Sequence, residues 1–235
     1  MKRICVFDVN ETLLDLKALD DPFSEAFGDV TARQEWFQQL LQSAFVSLVT
    51  DRYADFSTLG KTALQMTAEK RGRTLSDPQV HRIAQAMTQL PAHPDVKPGL
   101  ERLRVEGFRL ATLTNSTLKV AEAQLEYAGL RPYFEQVLSA DEVKRLKPAP
   151  EPYRMAAERF GVPITQIRLV AAHAWDVAGA LRAGASAAFI ARPGKILDPL
   201  AERPDVIGRD LREVAAAIVE REGTQVRSDE RTPAV

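Results

Sequence analysis

The fold of this chain is decided by the stretch RICVFDVNETLLD, residues 3–15. Residues 4–7 form a short apolar run with β-branched members, which predicts a strand buried on both faces. The strand ends at Asp8, and Thr12 follows four residues later. In an open α/β sheet, ligands bind at the carboxyl ends of the strands, so Asp8 is placed to act as a nucleophile that Thr12 supports. The alternative is that Asp8 caps the next turn.

The composition is that of an ordinary globular protein. The chain has 235 residues, of which 45% are hydrophobic and 27% charged, and its net charge is −1. This length accommodates one large domain, or a domain with a sizeable insertion. The balanced charge gives no reason to expect nucleic acid or an anionic membrane as a partner. The single cysteine, Cys5, rules out an intrachain disulfide, and no Cys/His cluster has zinc spacing.

The sequence indicates a cytoplasmic protein. Asp8 and Asn10 interrupt the first apolar run, so we expect no signal peptide. No apolar run approaches the length that a membrane-spanning helix needs.

The region from residue 16 to residue 94 has helical periodicity and no strand pattern. Apolar residues at helical spacing predict helices over residues 31–49, 56–71 and 76–90. Pro91 and Pro94 then end the helical pattern. We therefore predict an all-helical cap domain inserted at residues 16–94.

Strand and helix patterns alternate after residue 94. Predicted strands cover residues 108–113, 136–139, 167–171 and 187–191, and predicted helices cover residues 99–105, 118–127, 151–160, 175–183 and 211–221. Such alternation is typical of right-handed βαβ units around a parallel sheet. The predicted fold class is α/β, with a Rossmann-like core formed by residues 1–15 and 95–222. The polar residues 223–235 predict a flexible tail.

Polar side chains follow three of the predicted strands, and a further one, Lys147, lies in a loop. They are Asp8, Asn10 and Thr12 after the first strand, Thr114, Asn115 and Ser116 after the second, Lys147 before Pro148, and His173, Trp175 and Asp176 after the fourth. Singly, these features have ordinary explanations. Lys147 could be a surface lysine, and residues 114–116 could be a helix cap. Their order and spacing within one α/β chain are improbable by chance.

These four motifs resemble those of the haloacid dehalogenase superfamily over residues 3–192. The resemblance implies that Asp8 is the nucleophile and that Thr114 ends the second motif. It also implies that Lys147 steadies the nucleophile and that Asp176 is the acid of the fourth motif. The helical insertion then corresponds to a cap that closes over the active site.

Two substitutions disfavour the magnesium-dependent phosphatases of that superfamily. They need a second acid two residues after the nucleophile, where this chain has Asn10, which cannot carry a proton at neutral pH. They also need a metal-binding acid in a Gly-Asp-Ser-like run of the fourth motif, where this chain has Ala171, Ala172 and His173. Because Mg²⁺ requires near-octahedral oxygen ligands, we expect no metal ion and no other cofactor.

The chain resembles instead the metal-free L-2-haloacid dehalogenases, notably in the run AHAWD at residues 172–176. In that branch the aspartate displaces halide from a small 2-halo acid, and water then hydrolyses the ester to a 2-hydroxy acid. The resemblance implies the catalytic residues Asp8, Thr12, Lys147, His173 and Asp176. The implied substrate-binding residues are Val9, Asn10, Phe37, Leu41, Phe56, Thr114, Asn115, Tyr153 and Trp175. It also implies a homodimer.

Five positions depart from that branch. It has an aromatic residue at the position of Asn10, glycine at that of Glu11, a halide-binding arginine at that of Phe37 and asparagine at that of His173. It also has a small hydroxyl residue at the position of Ala171. Arg33, or donors on Asn10, His173 and Trp175, could replace the arginine. We therefore hypothesise that the leaving group is bound differently, as fluoride or a non-halide group. His173 could alternatively be a structural histidine.

Two further functions are left open. The first is a phosphatase or phosphonatase-like enzyme whose site has degraded. The second is a catalytically inactive binding protein that keeps the fold. The retained Asp8, Lys147 and Asp176 argue against the second, because a binding module has no need of all three.

Overall fold

The protein is built on a six-stranded parallel sheet. The computed structural model describes residues 2–229, with side chains to residue 222. The strands are β1 (Ile4–Phe7), β2 (Leu110–Thr114), β3 (Gln136–Ser139), β4 (Ile167–Ala171), β5 (Ser186–Ile190) and β6 (Val206–Gly208). Their order is β3-β2-β1-β4-β5-β6, and every pairing is parallel. The predicted α/β fold class is confirmed.

Helices occupy the insertion between β1 and β2 and flank the sheet. Those of the insertion are α1 (Asp20–Phe27), α2 (Thr31–Val49), α3 (Phe56–Lys70) and α4 (Asp77–Ala86). Those of the core are α5 (Val96–Val105), α6 (Leu118–Tyr127), α7 (Pro150–Phe160), α8 (Ala174–Ala183) and α9 (Leu211–Asp229). None of the described helices is both long enough and apolar enough to cross a bilayer. We propose that the cap domain comprises residues 16–94.

The structure differs from the predicted elements in four places. Strand β6 has three residues, which is too short for a periodic pattern. Helix α1 was not predicted, because Pro22 in its first turn resembles a breaker. Helix α4 ends at Ala86, before the predicted residue 90. Helix α9 continues to Asp229, since one glycine costs only about 1 kcal/mol in a helix. The predicted last helix therefore ended too early, at residue 221. The flexible tail stays a prediction, and residues 230–235 lie outside the described residues.

Strand β1 lies between β2 and β4, at the point where the order of the sheet reverses. Its side chains alternate between the two faces: Cys5 and Phe7 enter the apolar core that includes the cap, and Ile4 and Val6 enter the core on the other face. All four are buried. In a sheet of this kind the reversal opens a crevice at the carboxyl ends of the strands. Residues that follow β1 and β4 therefore meet in one place.

Candidate active site

Asp8 follows β1 directly and is held by side chains from three segments. Its Oδ1 accepts a hydrogen bond from Lys147 Nζ at 2.9 Å. Its Oδ2 accepts one from Thr12 Oγ1 at 2.6 Å and lies 3.2 Å from His173 Nδ1. Thr12 Oγ1 accepts the backbone N–H of Ala172, which directs the hydroxyl proton to Asp8. The alternative that Asp8 is only a turn cap is wrong, because its carboxylate is held by this side-chain network.

The environment of Asp8 favours its ionised form. Burial by itself raises the pKa of this carboxyl, but the charge of Lys147 and the hydrogen bonds from His173 and Thr12 lower it. The result is a pKa well below the ordinary range. Asp8 is therefore a bare carboxylate at neutral pH, which is the form that a nucleophile needs.

Lys147 lies at the centre of the site and is fully buried. Its ammonium group donates to Asp8 Oδ1, to Asp176 Oδ2 at 2.6 Å and to the carbonyl of Leu113 at 2.8 Å. Asn115 accepts from the N–H of Lys147 and donates to its carbonyl, and the Lys147–Pro148 peptide is cis. The surface-lysine alternative is wrong, since all three donors of the ammonium group are used inside the protein.

Asp176 lies in the first turn of α8, on the other side of Lys147 from Asp8. Its Oδ1 accepts a 2.6 Å hydrogen bond from the hydroxyl of Tyr153. Burial raises the pKa of Asp176, and the net shift is upward although Lys147 lowers it, because Asp8 also raises it. A carboxylate with a raised pKa is suited to accept a proton from water.

His173 connects Asp8 to a second charged pair. Its Nε2 lies 2.9 Å from Glu11 Oε2, and Lys195 Nζ donates to the same oxygen at 2.6 Å. The imidazole ring is stacked on Trp175, with centroids 5.1 Å apart. Burial lowers the pKa of His173, but its hydrogen bonds with Asp8 and Glu11 raise it above the ordinary value.

Sequence reasoning missed Glu11 and Lys195 as members of the site. Glu11 stood out only as a departure from a resembling branch, and Lys195 lies in a loop without any pattern. Arg192 was missed too. It donates to the carbonyl of Thr12 at 2.8 Å and to Asp95 at 2.7 Å, and so joins the Asp8 loop to the start of α5.

The loop after β2 forms a buried polar network beside Asp8. Asn10 donates to Ser116 Oγ at 3.1 Å and accepts from Gln124 at 3.0 Å. Thr114 Oγ1 accepts the N–H of Ser116. The predicted residues Asn10, Thr114 and Asn115 therefore lie together, with their side chains bonded to protein groups. Gln124 also belongs to this network, although the sequence pattern predicts only that it lies in a helix.

Cap residues predicted for one substrate pocket line two separate cavities. Phe56 lines an apolar cavity of about 100 Å³ that also includes Trp36 and reaches Ser116. Phe37 and Leu41 line a polar cavity of about 540 Å³ that includes Glu11, Arg33 and Lys195. Phe37 also lies near His173, with ring centroids 6.3 Å apart.

Val9 and Arg33 are engaged elsewhere in the protein. The side chain of Val9 is fully buried in the apolar core, and its carbonyl accepts the N–H groups of Leu13 and Leu14. If Val9 contacts substrate, it therefore does so through its backbone N–H. Arg33 forms an ion pair with Asp20.

The donor set at Asp8 does not fit Mg²⁺. Both carboxylate oxygens face donors, and two of these, on Lys147 and His173, belong to basic groups. Ala172, whose backbone N–H contacts Thr12, offers no side-chain ligand. Among residues 2–222, no group of three or more His, Cys, Asp or Glu side chains is arranged to hold a metal ion.

The chain combines a parallel sheet, a helical insertion and a buried cluster of Asp8, Lys147 and Asp176. Comparison with known proteins identifies the class of hydrolase that has these features. The model of the haloacid dehalogenase-like hydrolase family matches residues 2–184, and the chain belongs to this family. This confirms the predicted resemblance.

Within the family, the chain is similar to (S)-2-haloacid dehalogenases. It is 32% identical to (S)-2-haloacid dehalogenase 4A of Burkholderia cepacia, over 82% of this chain and 84% of that protein. It is 27% identical to (S)-2-haloacid dehalogenase H-109 of Pseudomonas putida, over 89% and 95%. The structure of L-2-haloacid dehalogenase from Xanthobacter autotrophicus with chloropropionic acid covalently bound superposes with a TM-score of 0.87, at 26% identity, covering 93% of this chain and 98% of that one.

Proposed function

We propose that this protein is a hydrolytic dehalogenase of small 2-haloalkanoic acids that works without a metal ion, through an ester on Asp8, and releases 2-hydroxy acids. One observation carries the proposal: a fully buried ammonium group, Lys147 Nζ, contacts Asp8 at 2.9 Å and Asp176 at 2.6 Å. A single cation thereby serves one carboxylate suited to attack and a second suited to activate water. The similarity to (S)-2-haloacid dehalogenases supports this assignment.

In the first step, Asp8 attacks the C2 atom of the substrate. A bond forms between a carboxylate oxygen and C2, while the carbon–halogen bond breaks and the halide leaves with the electron pair. A halide needs no proton on departure, so Asn10 is compatible with this step although it cannot act as an acid. Lys147 and Thr12 hold the carboxylate in position.

In the second step, water attacks the ester carbonyl of Asp8. Asp176 takes a proton from this water, and Tyr153 and Lys147 fix the orientation of Asp176. The bond between the carbonyl carbon and the ester oxygen breaks, and that oxygen leaves as the 2-hydroxyl group. Lys147, which lies beside the ester oxygen, donates the proton that the hydroxyl group requires and regains one from Asp176. The second proton of the water is left on the regenerated Asp8 carboxyl and is released to solvent, because the lowered pKa of Asp8 favours its ionised form.

The substrate is oriented by its carboxylate and by the cap. The loop after β2 lies at the start of α6, where backbone N–H groups and the helix dipole favour an anion. Thr114 ends β2, and Asn115 and Ser116 are in this loop. Phe37, Leu41 and Trp175 are proposed to exclude water from C2, which strengthens the charge interactions around Asp8.

Two measurements test the proposal. Halide release is screened with chloroacetate, fluoroacetate and both enantiomers of 2-chloropropionate, in the presence and absence of a chelator. A single turnover in ¹⁸O-water, with enzyme in excess, is expected to place the label in the Asp8 peptide and to leave the hydroxy acid unlabelled. Asp8→Ala is the control and is expected to release no halide. Label appearing directly in the product, or a chelator-sensitive hydrolysis of phosphate esters, would contradict the proposal.

A further inference from the structure

Glu11 and His173 contact each other in the folded protein, beside the proposed nucleophile. The two residues are 162 positions apart in the chain, yet His173 Nε2 lies 2.9 Å from Glu11 Oε2. The other ring nitrogen of His173 lies 3.2 Å from Asp8 Oδ2. Glu11, His173 and Asp8 therefore form one continuous chain of contacts.

The backbone conformation of Glu11 indicates that its side chain has a functional role. Glu11 has φ of 60°, in the left-handed region that favours glycine. A non-glycine residue is strained there, and such strain concentrates at functional sites. The chain thus keeps a glutamate where a glycine would fit more easily. The contact that this glutamate makes with His173 is the feature that a glycine cannot supply.

The contacts of His173 define its protonation state. A carboxylate oxygen can only accept a hydrogen bond, and both ring nitrogens face carboxylate oxygens. Hydrogen bonds from the ring to both of these oxygens require a proton on each nitrogen, which is the imidazolium form. The other charged groups around it are Lys195, which pairs with Glu11, and Lys147, on the far side of Asp8. An imidazolium cannot accept a proton, so His173 is not the base that activates water.

The two oxygens of Asp8 are held differently. Oδ2 faces two donors, the hydroxyl of Thr12 and the ring N–H of His173, which occupy both of its lone pairs. Oδ1 faces Lys147 and keeps a lone pair for attack on C2. After that attack, Oδ2 is the carbonyl oxygen of the ester. It becomes negatively charged when water adds to the carbonyl carbon.

We propose that His173 is a catalytic residue for hydrolysis of the Asp8 ester, donating a hydrogen bond and positive charge to the oxyanion on Oδ2. Glu11 is a positioning residue that keeps His173 an imidazolium, and Lys195 holds the Glu11 carboxylate. This inference rests on the proposed function and assigns a second-step role within it. The water oxygen bonds to the carbonyl carbon, its proton goes to Asp176, and the carbonyl electron pair moves to Oδ2. The pair returns when the bond to Oδ1 breaks, so His173 keeps its protons throughout.

The protonation state can be tested without any substrate. The chain has three histidines, and comparison with the His173→Asn variant assigns the resonances of His173 in ¹⁵N-labelled protein. We expect both ring nitrogens of His173 to be protonated at pH 7.5 in the wild type. Glu11→Gln is expected to shift the deprotonation of His173 to lower pH. A neutral ring at pH 7.5 overturns the inference whatever the enzyme's activity.

The catalytic role is tested by separating halide release from ester hydrolysis in rapid-quench experiments. His173→Phe keeps a ring for stacking on Trp175 but has no donor, and His173→Asn is a smaller, neutral replacement. In both variants we expect a burst of one halide per site, followed by ester hydrolysis slower by about 10²-fold for the phenylalanine variant, the usual effect of losing one oxyanion donor. The ester should accumulate on the Asp8 peptide.

Glu11→Gln separates positioning from a merely structural role. As pH rises, we expect ester hydrolysis by Glu11→Gln to decline at a lower pH than it does in the wild type. The control Glu126→Gln, which neutralises an exposed glutamate, should keep the wild-type profile. Ester hydrolysis at the wild-type rate in both His173 variants, or an unchanged pH profile in Glu11→Gln, overturns this inference alone. A wild-type enzyme that releases no halide from any 2-halo acid overturns the proposed function and this inference with it.

Discussion

The Tyr153 hydroxyl donates a hydrogen bond of 2.6 Å to Asp176 Oδ1, while the other oxygen of that carboxylate accepts from Lys147. Both oxygens of Asp176 are therefore fixed, one from helix α7 and one from the loop that precedes it. The orientation of the proposed base depends on how α7 and α8 pack. Four predictions follow from this arrangement and from the charges around it.

Tyr153→Phe removes the hydrogen bond and leaves a buried carboxylate oxygen with one partner fewer. We expect the free energy of unfolding to fall by about 1–3 kcal/mol, the usual cost of an unsatisfied buried group. We also expect kcat to fall by about tenfold with little change in KM, since Asp176 acts after substrate is bound. Urea denaturation and steady-state halide release measure both. Tyr127→Phe, at an exposed tyrosine, should change neither; equal effects in both variants would contradict the prediction.

Gly179→Ala should displace the loop that carries Lys147. A Cβ at position 179 would lie 2.5 Å from Pro148 Cβ and 2.7 Å from the Tyr153 hydroxyl. We expect a loss of about 1–3 kcal/mol, as for overpacking in other protein cores, together with reduced activity. The matched control is Gly60→Ala, in helix α3, where the new Cβ makes only ordinary contacts at 3.9 Å. That variant should gain about 0.5–1 kcal/mol from its helix propensity. Thermal unfolding compares the two, and destabilisation of similar size in both would refute the steric argument.

Lys147→Met removes the shared cation from between two buried carboxylates. Asp8 and Asp176 then repel each other, and the pKa of Asp8 rises because Lys147 no longer lowers it. We expect no measurable halide release and a loss of about 3–5 kcal/mol of stability, the usual cost of breaking a buried ion pair. Lys144→Met is the control, because this lysine forms an exposed pair with Asp141. It should cost at most about 1 kcal/mol. Chemical denaturation checks both values, and a Lys147→Met variant as stable as the control would contradict the buried-pair argument.

The stability of the folded protein should fall as pH rises above neutrality. The pKa of His173 is raised in the folded state above its ordinary value of 6.5, chiefly because its hydrogen bonds with Asp8 and Glu11 outweigh burial. Its contribution is therefore complete below pH 6.5 and is lost as pH rises through the folded-state pKa. Between these limits the free energy of unfolding should fall by up to about 1.4 kcal/mol per pH unit. Denaturation between pH 6 and 8.5 measures this slope. The His173→Asn variant should lack it. If the slope is unchanged in that variant, the pH dependence comes from another group and the prediction is wrong.

Much of the fold was predictable because it follows from local periodicity. The apolar run at residues 4–7 and the strands around residues 110 and 167 have patterns that only a buried parallel sheet explains well. Strand β6 was not predictable, because three residues paired at a sheet edge carry too little pattern. Its formation depends on pairing with β5, which is a tertiary interaction.

The candidate site was predictable only in part. Asp8, Lys147 and Asp176 were identified from motif order, and the structure brings them together. The sequence did not predict which cavity each aromatic residue of the cap lines. Trp36 and Phe37 are neighbours in helix α2, yet they line different cavities. The homodimer and the cytoplasmic location stay predictions.

The sequence by itself determined the α/β fold class, the position of a carboxylate after the first strand and the absence of an acid at position 10. These depend on residue identity and short-range spacing, which the chain carries in every conformation. Only the tertiary structure decided that Glu11, His173 and Lys195 join Asp8. Their contacts depend on how the loops after β1, β4 and β5 converge at one edge of the sheet, and no local pattern records distances between loops that are far apart in the chain.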